Sequence, residues 1–273
     1  MTDATDADRS GDLHADERAH FMATMGFECH IEREVGLGQV RVEDYLSSAP
    51  NWPSTAVLLT FADVLIGVLA SHQTAPRISV TSNLAVDVVG PLPPDGELSL
   101  QGELSKVGRS MTVGETVMRA TRSGDLVATA IGTFLASPRP QDVSRVPQGR
   151  FQQTARVETA APTLAAYVGL RVLRPGLTEI PLRPDLTNAT ESLQGGLVAL
   201  LGETAAQTAA SAALGQAAVV DSLEVYYLSA ARVGPFRAAA ELLRENLVRV
   251  EVRDPGRDNR MVAITTARTR PAP

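Results

Sequence analysis

PSTAVLLTFADVLIGVLA (residues 53–70) and GGLVALLGETAAQTAASAAL (residues 195–214) are the two stretches on which the fold turns. Both run apolar nearly all the way round a helical wheel. In the first, Val57, Leu58, Leu59, Phe61, Val64, Leu65, Ile66, Val68 and Leu69 leave no polar face wide enough for water, and Pro53 suits a first helical turn. A helix of that kind has to be wrapped, and a curved antiparallel sheet about five strands wide is the available wrapper. Each stretch nevertheless carries one carboxylate, Asp63 and Glu203. An unpaired buried carboxylate is costly or takes up a proton, so each acid must face an interface or be hydrogen-bonded, for Asp63 by a neighbouring backbone group or Thr60.

Working outward, the same order of elements occurs twice. After the first helix come RISVTSNLAVDVV (77–89), GELSLQGELSKV (96–107), SMTVGETVMRAT (110–121) and DLVATAIGTFLAS (125–137), which alternate apolar and polar residues or carry β-branched runs. After the second come QAAVVDSLEVYYLSAA, FRAAAELLREN, LVRVEVRD and RMVAITTART, divided by turns at RVGP and DPGRDN. Asp63 and Glu203 lie 140 residues apart, Leu84 and Leu223 139, and Val127-Ala128 and Val262-Ala263 135. A steady offset with a small drift is the mark of a duplicated unit that has lost a few loop residues. Each half also has a prelude of two short strands: FECHIEREVGLGQVRVE (27–43) around a Gly-x-Gly turn, and YVGLRVLRPGLTEIPL (167–182) around Pro-Gly. The domain reading is a disordered tail over 1–15, a first unit over 16–139, a Pro-, Gln- and Arg-rich linker over 140–160 and a second unit over 161–273.

Composition narrows the function classes. Hydrophobic residues make up 44% of the 273, enough for a substantial core, and no run reaches the ~18 consecutive apolar residues of a membrane span. A net charge of −6 offers no basic field for nucleic acid or anionic lipid. The polar N-terminus lacks the regions of a signal peptide, and the one cysteine, Cys29, fits a reducing compartment; both predict a cytoplasmic protein with no nucleic-acid or membrane partner. The four histidines (His14, His20, His30 and His72) have no metal-ligand spacing.

The pattern Asn188-x5-Gln194-Gly195-Gly196-x6-Glu203 resembles the Asn…His-Gly-Gly…Asp/Glu signature of hotdog-fold acyl-CoA thioesterases of the phenylacetate-pathway type. The run VGRSMTVGETVMRATRSGDLVATAIGTF (107–134) resembles that family's Gly-Arg-Ser strand, hairpin and final strand. With the repeat, the likeness spans about residues 27–270. It implies an α+β double hotdog: two tandem units, each a long central helix wrapped by a curved antiparallel sheet, joined edge to edge. It also implies a chemistry. The first Gly at the helix N-terminus would polarise a thioester carbonyl through its backbone N–H, helped by the helix dipole. An acid from the partner unit would act as general base or nucleophile, with Asn in the preceding loop positioning it or its water. No cofactor or metal is implied beyond coenzyme A as part of the substrate.

Carried over residue by residue, the resemblance gives two unequal sites. One joins Asn188, Gln194 and Gly195 to Asp63. The other joins the Ser54-Thr55 region to Glu203, where Ser54 replaces His, Thr55-Ala56 replaces Gly-Gly, and Ser48 stands at the Asn spacing. The Asp63 site is therefore expected to be the active one, although Gln194 cannot titrate as His would. Two functions remain open: a thioesterase acting on an acyl-CoA or acyl-carrier thioester, and a non-catalytic double hotdog that binds such a ligand or a protein partner. A hydratase of the same fold is a poorer match, because its Asp-x4-His pair is absent. Gly108, Arg109 and Ser110 are candidates for coenzyme A phosphates or a plain turn. Trp52 is read as packing, Tyr226 and Tyr227 as sheet residues, and the C-terminal arginines as solvated strand faces. Exposed outer strands predict a homodimer of double hotdogs.

Overall fold

The computed structural model describes residues 21–32, 34–74, 79–137, 150–152, 161–188 and 190–273. The expected tail over 1–15, His14, His20 and most of the linker lie outside them. The first unit comprises β1 (Glu28–Glu32), β2 (Val35–Arg41), β3 (Ser47–Ala49), β4 (Trp52–Pro53), α1 (Thr55–Thr74), β5 (Ser79–Val88), β6 (Glu97–Val107), β7 (Met111–Ala120) and β8 (Leu126–Ala136). A short β9 (Arg150–Gln152) and α2 (Leu164–Val168) follow. The second unit comprises β10 (Arg171–Arg174), β11 (Leu177–Ile180), α3 (Gly195–Leu214), β12 (Ala218–Tyr227), β13 (Phe236–Arg244), β14 (Leu247–Asp254) and β15 (Arg260–Pro271).

The repeat is real in three dimensions. One 13-stranded antiparallel sheet runs β10-β11-β13-β14-β15-β12-β5-β8-β7-β6-β2-β1-β9, so the order outward from the middle is the same in both halves. The halves meet where β5 pairs with β12, with Leu84 opposite Val225 and Val86 opposite Leu223. An offset of 139 turns one of those pairs into the other, as a pseudo-twofold axis requires. The entry loops are copies as well. Leu46 and Leu186 end 3-10 turns and accept the N–H groups of Ser54 and Gln194, while Asn51 and Glu191 both hold left-handed φ angles of 56° and 57°. The fold is a double hotdog.

Helix and sheet meet by opposite rules in the two units. In the first, the helix is bulky and the sheet small: a Cβ on Gly114 would lie 2.5 Å from Ile66, and one on Gly36 2.9 Å from Leu65. The pair Gly36 and Gly38, expected at the prelude turn, therefore lies inside β2, where Leu65, Leu69 and the Phe27 ring need the space; the chain reverses earlier, at Glu34. In the second unit the helix is small, with Gly202, Ala205, Ala206 and Ala209, under valines such as Val248, Val250 and Val252. Both helices are long and apolar enough to cross a membrane by composition, yet most of each is buried in the protein. Each fully buried Leu, Ile or Phe on α1 contributes about 2 kcal/mol. One segment of the predicted linker does more than connect: β9 pairs with β1, placing Gln152 opposite Glu28 and covering that sheet edge.

Candidate active site

The pseudo-twofold axis brings each helix N-terminus to the other helix's acid, and the two places are built differently. At the N-terminus of α1, Glu203 is 1% exposed and both its oxygens are taken. Oε1 accepts from the Thr55 N–H at 2.8 Å; Oε2 accepts from the Ser54 hydroxyl at 2.6 Å and the Ala56 N–H at 3.0 Å. Ser54 Oγ in turn caps the helix by accepting the Val57 N–H at 3.3 Å. Thr55 Oγ1 and Trp52 Nε1 both donate to the Val220 carbonyl on β12, at 2.7 and 3.3 Å. Burial pushes the Glu203 carboxyl above its usual pKa, while these hydrogen bonds pull it back. A carboxylate on the positive end of a helix satisfies its orphan N–H groups. This acid is a brace, and the backbone N–H that would serve as an oxyanion donor is already consumed.

At the N-terminus of α3 the mirror arrangement is open. Asp63 is one methylene shorter than Glu203, and no hydrogen bond joins it to Gly195 or Gly196. Its Oδ1 accepts from the Thr81 hydroxyl of β5 at 2.6 Å, whereas Thr60 donates to the Ala56 carbonyl. Part of Asp63 stays exposed, but its carboxyl sits deep enough that desolvation pushes its pKa up to about 6, against the pull of Thr81. The helices are in close contact here, since a Cβ on Gly196 would lie 2.0 Å from Thr60 Oγ1. Gln194 is the N-cap of α3, and its Oε1 accepts the Gly196 N–H at 3.3 Å. The Gly195 N–H finds no acceptor among the described residues. Tyr227, at the end of β12, donates its hydroxyl to the Gly195 carbonyl at 3.1 Å, and burial with the nearby Asp63 charge keeps its phenol far above the ordinary pKa.

Thr81 and Tyr227 carried no motif, and the sequence reading did not single them out as site residues. The repeat held a signal for both: at the offset of 139 their counterparts are Val220 and Val88, which have no polar side chain. Thr81 also stands at a register shift in β5, matched by one at Val220 in β12, and such bulges re-aim side chains beside sites.

Asn188 lies in the loop before α3, where its Oδ1 accepts from the N–H and hydroxyl groups of Thr190 and Ser192. Gly108, Arg109 and Ser110 form the exposed β6–β7 turn. The cross-strand row from Thr81 runs through Phe134 and Thr112 to Val107, which sets that turn roughly three strand spacings, about 14 Å, from Thr81. Trp52 is buried and packs under the Arg270 guanidinium, 4.7 Å from its ring centre. The Cys29 thiol is buried and pushed up to about 12, hence inert. Among the described residues no group of His, Cys, Asp or Glu could hold a metal. A cavity of about 430 Å³ lined by Arg41, Asp44, Tyr45, Asn51 and Pro162, among others, includes none of Asp63, Thr81, Gly195 and Tyr227.

Comparison with known proteins agrees with this architecture. Residues 54–126, covering α1 and β5 to β7, match the model of the Thioesterase superfamily. The fold is shared with an acyl-ACP thioesterase from Bacteroides thetaiotaomicron, 14% identical, over 87% of this chain and 98% of that one (TM-score 0.59). It is shared with the 12:0-ACP thioesterase from Umbellularia californica, 10% identical, over 89% and 99% (TM-score 0.61). The tesB protein of Mycobacterium avium subs paratuberculosis, 15% identical, aligns over 93% and 98% (TM-score 0.60). No curated protein sequence matches the chain. The chain thus shares the double-hotdog fold of these structures, and its match to the Thioesterase superfamily model lies in the first unit.

Proposed function

We propose that this protein hydrolyses an acyl thioester, of coenzyme A or of a carrier protein, at the one site formed by Asp63, Thr81, Gly195 and Tyr227. The observation that carries the reading is the inequality of two symmetry-related places: Glu203 accepts three hydrogen bonds through both oxygens from the start of α1, while Asp63 accepts one, at Oδ1 from Thr81, and the first N–H of α3 is unclaimed among the described residues. The substrate carbonyl oxygen would accept the Gly195 N–H, with the α3 dipole favouring the negative charge that develops there. Thr81 holds Oδ1 of Asp63, leaving Oδ2 to take a proton from water as it attacks the carbonyl carbon, or to attack the carbon itself. Collapse of the tetrahedral intermediate expels the thiolate, which takes up the proton that Asp63 accepted from water. On the direct-attack route it leaves a mixed anhydride that a water molecule then hydrolyses, releasing the acid and restoring the Asp63 carboxylate. A carboxyl with a pKa of about 6 is ionised at neutral pH yet basic enough for the task. Arg109, about three strands away, suits a phosphate of coenzyme A.

A second reading has its own support. Gln194 spends its Oε1 on its own helix and Asn188 its Oδ1 on its own loop, so neither aids Asp63 through those atoms. That would suit a protein which binds acyl thioesters without cleaving them. The deciding experiment presents short, long and aromatic acyl-CoAs to the purified protein with a thiol-trapping dye. Release of thiol that Asp63→Asn slows on the order of a hundredfold is the expected result. Saturable binding with no release supports the binding reading instead.

A further inference from the structure

We infer that Tyr227 is a positioning residue of the Asp63 site, anchoring the first turn of α3 so that the Gly195 N–H stays aimed at the substrate oxygen. This inference deepens the thioester reading above and rests on it. Two glycines open α3, and glycine backbone is the least restrained that a helix can start with. At the mirror position Thr55 anchors itself, its own hydroxyl donating to the Val220 carbonyl at 2.7 Å. Gly195 has no side chain to do so. Beyond the Leu197 and Val198 N–H groups, which donate to the Gln194 carbonyl at 2.9 and 3.2 Å, its anchors come from outside the helix: on one side Gln194 N–H donates to the Leu186 carbonyl at 3.0 Å, and on the other Tyr227 donates to the Gly195 carbonyl at 3.1 Å. The peptide unit bearing the Gly195 N–H and the Gly195 α-carbon are held between those two bonds. A Cβ on Gly195 would stand 3.5 Å from the Tyr227 ring, so the ring also walls that side of the turn. The arrangement exchanges a side chain at the helix start, which would narrow the approach to the N–H, for a hydroxyl delivered from the neighbouring strand. Val88 holds the matching position in the closed site and can offer no such bond.

The test is Tyr227→Phe, which keeps the ring and removes one oxygen. If the phenol positions the oxyanion donor, kcat falls about tenfold while KM stays within about twofold, as when a donor is misaimed only in the transition state. The acid limb of the pH profile stays near pH 6, because Thr81 and burial, not the neutral phenol, set the ionisation of Asp63. Thr81→Val should instead move that limb to higher pH. Activity of Tyr227→Phe within twofold of wild type, or a loss that matches its unfolded fraction, overturns the inference. A second measurement separates this claim from the hydrolase reading. The Gly195 amide resonance is followed while S-(2-oxopentyl)-coenzyme A, whose carbonyl is not hydrolysed, is added. It should move strongly in wild type and weakly in Tyr227→Phe, whether or not wild type hydrolyses any thioester. Equal movement in both overturns the role of Tyr227 on its own, whereas none in wild type overturns the Gly195 site on which both readings rest.

Discussion

Asp63 and Glu203 hold matching places in the two units, and their surroundings differ: Glu203 is hydrogen-bonded through both oxygens, Asp63 through one. Replacing Glu203 with Gln leaves one acceptor oxygen for the donors at Ser54, Thr55 and Ala56, so buried groups lose partners at about 1–3 kcal/mol each. The melting temperature of Glu203→Gln should fall by several degrees, while hydrolysis per folded molecule stays near wild type. Asp63→Asn should behave in reverse. Turnover is expected to drop on the order of a hundredfold with loss of the base. Stability should rise, and the sign follows from the pKa. The folded value of about 6 lies above the ordinary carboxylate value near 4. Between those values the folded state holds the extra proton, so wild-type stability is greatest at low pH, declines as pH rises from about 4 to about 6, and stays at its lower level above. Neutral Asn escapes that decline, worth about 3 kcal/mol at most. Thermal melts at pH 4 and pH 8 check this: the gain should appear at pH 8 and be nearly gone at pH 4. Equal melting temperatures at pH 8 would show that ionised Asp63 carries no strain.

At the scale of the element, the helices approach closely where Thr60 of α1 meets Gly196 of α3. A side chain on Gly196 must displace Thr60, so Gly196→Ala should destabilise by about 1–3 kcal/mol. Thr60→Ala in the same chain should recover part of that loss; a purely additive pair of effects in urea unfolding would refute the contact. The helices and strands were legible in the sequence because burial leaves its period there. The apolar stretches 53–70 and 195–214 read as helices, and the helices form over Thr55–Thr74 and Gly195–Leu214. What a period cannot show is which atom of a side chain finds which partner. Glu203 and Asp63 look alike in the chain, and the difference of one methylene, together with Val220 for Thr81 and Val88 for Tyr227, separates a brace from an open acid. The prelude glycines were misplaced for a related reason: Gly-x-Gly reads as a turn locally, whereas here the demand comes from Leu65 and Phe27, far away in sequence.

For the whole molecule, the join between the units decides how it unfolds. The β5–β12 pairing makes one continuous sheet, each helix starts against the other unit, and Glu203, Trp52 and Thr55 tie α1 to the second unit through buried hydrogen bonds. Separating the units would expose two central strand edges and leave both acids without their surroundings. Urea unfolding should therefore show one transition, seen alike by Trp52 fluorescence, which reports the join, and by far-ultraviolet circular dichroism, which reports both sheets. Two resolved transitions would show that the units are energetically independent and that the join is only a contact. The outer face of the first unit carries Val80, Ile131 and Leu135, each more than two-fifths exposed. The matching face of the second unit is laced by ion pairs of Arg249 and Arg253 with Glu251, and of Arg171 and Arg237 with Glu179. We therefore expect a homodimer formed back to back through the first units. Ile131→Glu should return it to a monomer without lowering hydrolysis, because Ile131 points away from α1 and the site. Light scattering decides the matter: a wild-type mass of 28.9 kDa at high concentration would remove the dimer, and a dimer untouched by Ile131→Glu would move the interface elsewhere.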